Sequence, residues 1–146
     1  MADHFRVTFE DVMTAHDNAL QNGGGVPGIN NEDLIRSALG RPYHEYAGHV
    51  FYPSVTDKAG CLLHGFLTNH GFKDANKRTA WIVCNAFLYT EIYLLILPED
   101  YPWYDKLAQM VHEHWDVQRV ISWVERYAKG YESHEAMMDD VEIFFG

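Results

Sequence analysis

The 146-residue chain is short of most features that assign a protein to a special class. It has two cysteines, Cys61 and Cys84, each set in an apolar helical pattern, which excludes a disulfide framework and predicts reduced, buried thiols. No apolar run approaches the ~20 residues that a membrane span requires. The opening residues Met1-Ala2-Asp3-His4-Phe5-Arg6 lack the apolar stretch of a secretory leader, so the expected location is the cytoplasm, with no membrane partner. Positive charge is scarce, with eleven Lys and Arg against twenty-one Asp and Glu and a net charge of −10. A phosphate backbone needs a basic footprint, so nucleic acid is not an expected partner. Internal repeats and low-complexity segments are absent.

The negative charge is uneven. Residues 131–146 carry Glu132, Glu135, Asp139, Asp140 and Glu142 with no Lys or Arg, half of the net charge in one tail. We therefore divide the chain into a domain over residues 1–130 and an acidic tail over 131–146. The tail also holds Met137, Met138, Val141, Ile143, Phe144 and Phe145; it is read either as disordered or as packed on its own domain or a neighbour. Against the acidic body, Lys73, Lys77 and Arg78 form the densest positive cluster, which suits a specific anionic ligand such as a nucleotide.

Periodicity and punctuation predict an all-α, compact, single-domain bundle of about six helices. Thr8 and Asp11 make a capping-box start for a helix over about 9–21, which Gly23-Gly24-Gly25 ends. Asn30 or Asn31 caps a short helix stopped by Gly40 and Pro42, and Thr56 or Asp57 opens another that runs to Leu67. Between them, Tyr43 to Pro53 is aromatic and aperiodic, a loop packed over the core or a flap beside a site. The segment Thr79 to Tyr89 is apolar nearly all round and predicts a buried central helix. Tyr93 to Pro98 is a strand or a buried connector, and helices follow over about 102–114 and 116–129.

The chemistry collects just before that central helix, in Asn69-His70-Gly71-Phe72-Lys73-Asp74-Ala75-Asn76-Lys77-Arg78. His70 is a candidate general base, Asp74 a hard oxygen ligand for Mg2+, and Lys73, Asn76, Lys77 and Arg78 are donors suited to phosphate oxygens. Gly71 lets the chain bend, Phe72 offers an apolar anchor, and Asp74 or Ala75 starts a helix near Asn76. The donors then cluster at a helix N-terminus, where free N–H groups and the helix dipole attract anions.

His70 to Arg78 resembles the signature H-x-F-x-D/E-x-N-G/K-R of the Fic and Doc proteins, and Lys77 is the residue of the death-on-curing (Doc) branch. His16-Asp17, Gly23 to Gly25, Pro27-Gly28, Ala38-Leu39-Gly40-Arg41 and the helix at Val120 to Tyr127 are similar to Doc in order and spacing. The resemblance implies a toxin that transfers the γ-phosphate of ATP or another nucleoside triphosphate, with Mg2+, to a hydroxyl of a target protein. For Doc-like proteins that target is a translation factor, elongation factor Tu. It implies His70 as the base, Asp74 as the Mg2+ ligand, and Phe72, Lys73, Asn76, Lys77 and Arg78 around the nucleotide. It also implies that the Tyr43 to Pro53 segment receives an extended piece of the target by strand addition. No self-inhibiting S/T-x-x-x-E-G/N helix is found, so an antitoxin is expected in trans, although the acidic tail could act in cis.

Other readings remain. Most Fic proteins carry Gly at the position of Lys77 and transfer AMP to a protein hydroxyl, and a catalytically idle binding module would keep the site without the chemistry. A metal-dependent phosphohydrolase using His16-Asp17 is a further class, though no second His or Asp stands at chelating spacing. His112-Glu113-His114 is a poor chelate because residues two apart on a helix face different directions.

Overall fold

Local capping chemistry sets where the helices begin. A computed structural model describes residues 4–145, the last two by backbone alone. Helix α1 (Phe9–Gly23) opens with the expected capping box: Thr8 Oγ1 accepts from Asp11 N at 3.1 Å, and Asp11 Oδ2 accepts from Thr8 N at 2.9 Å. Asn31 caps α2 (Glu32–Gly40), its Oδ1 accepting from the amides of Asp33 and Leu34. A 3-10 turn at Arg41–Tyr43 follows. The aromatic segment then forms a hairpin, β1 (Glu45–Tyr46) against β2 (His49–Val50), across Ala47-Gly48, both at positive φ as the type I′ form of a two-residue turn requires. Neither Thr56 nor Asp57 caps α3 (Val55–Thr68). Ser54 does, and Asp57 is its third-residue partner in a second capping box.

Next come α4 (Asn76–Thr90), β3 (Tyr93–Leu95), α5 (Trp103–His112), α6 (Val117–Tyr127), β4 (Ala128–Gly130) and α7 (His134–Phe145). The Tyr93 run is thus a strand at its start, paired antiparallel with β4. Apart from these two small sheets and an isolated bridge of Ile29 with Phe72, the regular structure of the described chain is helical, an all-α single domain. No helix among the described residues is long and apolar enough to cross a membrane.

Helix α3 lies at the centre, packed between α4 and α6. It buries residues 58–63 and 65–67, covering most of its circumference. Two glycines let its neighbours in: a Cβ on Gly60 would sit 2.6 Å from Ile121 Cα, and one on Gly65 3.2 Å from Ala38 Cβ. Helix α4 buries one face, Thr79, Ala80, Val83, Cys84, Phe87 and Leu88, while Trp81, Ile82 and Asn85 are half-buried and Ala86 and Tyr89 exposed. Its all-round apolar pattern therefore serves the core on one side and a surface groove on the other. Cys61 and Cys84 are both buried and free, and burial pushes their thiols up to about 11 and about 12.

Part of the acidic tail packs on the domain, though Ile143 is 73% exposed. Met137 of α7 is fully buried, Tyr89 donates to Met138 Sδ at 3.3 Å, and Asp140 accepts from Lys129 Nζ at 2.8 Å and from the Tyr131 hydroxyl at 2.5 Å. The side chains of Phe144 and Phe145 lie outside the described residues. Because α4 rises 1.5 Å per residue, α7 at Tyr89 stands roughly 20 Å from the Asn76 end. Blockade of that end by the tail in cis has no support in this placement.

Candidate functional site

The loop from Asn69 to Ala75 is fastened to the chain that links α1 and α2. The amides of Asn30 and Asn31 both donate to Gly71 O, at 2.8 and 3.1 Å, and Lys73 N donates to Gly28 O at 3.0 Å. Phe72, 1% exposed, stacks on His16 with ring centroids 3.8 Å apart and planes at 8°. His16 Nε2 in turn donates to the carbonyl of Asp74 at 3.0 Å. Phe72 is therefore an anchor beneath the loop and does not line the cavity above it. The bend expected at Gly71 is made by its neighbour: His70 is left-handed at φ 50°, as is Ala75 at 63°. Each costs about 1 kcal/mol in a non-glycine residue, strain that the bridging bonds hold in place. Gly71 is required for space instead, since a Cβ there would lie 2.5 Å from Ile35 Cγ1.

Three motif side chains are locked by backbone groups. Asn76 closes a ring with Phe72, its Nδ2 donating to the carbonyl at 3.0 Å and its Oδ1 accepting from the amide at 3.1 Å. Asp74 accepts from Val26 N through Oδ2 at 3.0 Å and from Ala75 N through Oδ1 at 2.8 Å. These two bonds hold its carboxyl below the ordinary carboxylate range, so the anion is the favoured form. Arg78 donates through Nη1 to Ala19 O at 2.6 Å and through Nη2 to Gly24 O at 2.8 Å, tying the end of α1 to the start of α4.

These contacts explain the glycine run, which the sequence shows only as a helix stop. A Cβ on Gly23 would sit 2.1 Å from Arg78 Nη1, and one on Gly25 2.8 Å from Asp74 Oδ2. Sequence reasoning also missed Tyr104, which reaches the site from α5, and the role of His16. His16 stands on the buried stripe of Val12, Ala15 and Ala19, a placement that could have marked it as packed beneath the site; Asp17 beside it is exposed.

Above the loop is a cavity of about 120 Å³ lined by His70, Lys73, Asp74, Asn76, Lys77 and Arg78, with Leu67, Ala75 and Tyr104. Every motif residue except Gly71 and Phe72 meets there. No side chain caps α4, so its first-turn N–H groups stay available beside Lys77, which makes no ion pair among the described residues. Two of the five Arg78 N–H groups and one of the two Asn76 amide hydrogens are engaged, leaving the others free to donate. The space holds about four waters, the scale of phosphoryl groups rather than a whole nucleoside. An ionised carboxylate among amides and cations is the donor set that a Mg2+-bound phosphate chain requires, so the residues present fit that ligand. Across His70 lies a second, larger cavity of about 570 Å³.

The family model of the Fic/DOC family matches residues 6–88, more than half of the chain, and takes in the loop and every segment that fastens it. No curated protein matches the chain.

Proposed function

Because the chain belongs to the Fic/DOC family, we propose that it transfers the γ-phosphoryl group of a nucleoside triphosphate to a protein hydroxyl, as a Doc-like toxin acting on a translation factor. The observation that carries this reading is the convergence of His70, Lys73, Asp74, Asn76, Lys77 and Arg78 on one cavity at an uncapped helix start. Bound Mg2+ would neutralise charge on the phosphate chain and hold it to Asp74.

His70 stands at the rim, where its imidazole takes the proton from the acceptor hydroxyl as that oxygen attacks the γ-phosphorus. The bond from phosphorus to the β–γ bridging oxygen breaks, and the nucleoside diphosphate leaves with the electron pair. The α4 amides, with Lys77 and the remaining Arg78 donors, stabilise charge on the transferring group, and Asn76 and His16 keep the loop in the shape that aims them. Lys77 favours phosphoryl over AMP transfer, because a long cation beside the amides changes which phosphate can enter.

The exposed hairpin, with Tyr46 76% and Phe51 48% exposed, supports its reading as the flap that receives an extended acceptor segment. An aromatic groove along the outer face of α4, lined by Trp81, Ile82, Tyr89 and Trp103, supports silencing by an antitoxin segment supplied in trans. The proposed setting is cytoplasmic.

The test is incubation with Mg2+, a bacterial lysate and ATP labelled at the α- or the γ-phosphate. Movement of γ-label alone to a protein is the expected result. Movement of α-label would replace phosphorylation by AMP transfer, and movement of neither, with ATP still bound, would leave an idle binding module.

A further inference from the structure

The 570 Å³ cavity is also lined by His70, and it bears on the acceptor only through the reading of His70 as the base. Arg41 enters it from the 3-10 turn, His64 and Thr68 from α3, and His114 and Asp116 from the α5–α6 connection. Arg41 is half-buried and donates through Nη1 to His64 Nδ1 at 3.3 Å. His64 gives its Nε2–H to Trp115 O at 3.1 Å, so both ring nitrogens are occupied in the neutral tautomer, and burial followed by the Arg41 charge holds its pKa low. A neutral partner does not compensate the guanidinium. The Tyr52 ring lies 5.8 Å from it, and among the described residues no carboxylate comes within ion-pair distance.

A half-buried guanidinium without a counterion, with N–H groups left over, is a binding element for a planar anion. Asp116 lines the same cavity with one carboxylate oxygen on Arg119 N, and its charge opposes a phosphate dianion more strongly than a singly charged carboxylate. A space of this volume is about 8 Å across, the span of two or three extended residues. We infer that this cavity binds a carboxylate side chain of the acceptor protein, Asp or Glu within about three residues of the modified hydroxyl, with Arg41 as the specificity-determining residue.

The test needs no turnover. The histidine-ring NMR signals of His64 and His114 are followed in the full chain, without nucleotide, during titration with acetyl-Glu-Thr-Glu-amide, its Gln-Thr-Gln counterpart and inorganic phosphate. The acidic peptide should shift both rings saturably and bind at least about tenfold more tightly than the Gln peptide, equivalent to about 1.4 kcal/mol. Arg41→Gln should abolish the preference and Arg41→Lys should keep part of it. Equal responses to the two peptides, no response to either, a stronger response to phosphate, or a preference that survives in Arg41→Gln would overturn the inference. If Arg41→Gln fails to fold, the wild-type peptide pair and Arg41→Lys decide it. Absence of label transfer from ATP would instead remove the proposed function, so the two failures are separable.

Discussion

His70 and Asp74 sit on one strained loop, yet their substitutions should separate cleanly. His70 has no hydrogen bond to the rest of the described chain, so His70→Ala should leave the loop and nucleotide binding intact while transfer falls by about 10² or more, the usual contribution of a positioned base. Calorimetry with Mg2+ and ATP beside the label assay checks both halves. Asp74 has a structural part beside its proposed one. Its folded pKa lies below the usual 3.8, so its contribution to stability is complete above about pH 4 and is lost as pH falls through the folded value. Asp74→Asn should flatten the fall in stability on acidification below about pH 4, read by circular dichroism in urea at stepped pH. A wild-type slope in that variant would show that the Val26 and Ala75 bonds do not favour the anion. Gly23→Ala drives a methyl into Arg78 Nη1, whose flexible end can yield. The expected result is a loss of about 1 kcal/mol from the Ala19 latch with a matching drop in ATP affinity; unchanged affinity would make Arg78 purely a tie between helices.

At the scale of elements, α3 is the part that admits least change. The Cβ of Gly60→Ala would meet Ile121 Cα, a backbone atom that moves only if α6 moves, so the variant should lose about 1–3 kcal/mol in urea unfolding. Gly65→Ala faces the Ala38 methyl at 3.2 Å and should lose less. The order of the two, more than either value, reports that α6 is held tighter than α2. The starts of α1 and α2 are readable, Thr8 with Asp11 and Asn31 capping where their spacing predicts, whereas α7 in the acidic tail is not. Ser54 does not stand out because Thr56 and Asp57 are also capping types, and Asp57 serves a cap from its third position. The hairpin at residues 45–50 left little periodic trace, since two paired residues per strand are too few for alternation to register.

For the whole molecule, the tail and the site stand at opposite ends of α4. Removal of residues 131–146 deletes the buried Met137 and the bonds to Asp140, and should lower stability by about 2 kcal/mol or more. It should not raise the rate of transfer. A rise in label transfer after truncation would restore cis inhibition by the tail and displace the expectation of an antitoxin in trans.

The candidate site was legible in the sequence alone: a proposed base, a carboxylate and cations crowd into nine positions ahead of an apolar helix, and short-range spacing is enough to place them on one turn. The helical class was equally legible, because amphipathic periods and caps are local. Only the tertiary structure decided what restrains those residues. Gly23 and Gly25 matter through Arg78 and Asp74, His16 matters through Phe72, and Arg41 matters through His64, pairs between about 20 and 60 positions apart in a chain whose spacing carries no sign of them. Contacts at that separation exist only once the core has packed, which is why the same nine residues read as a site in sequence and acquire their geometry from the rest of the fold.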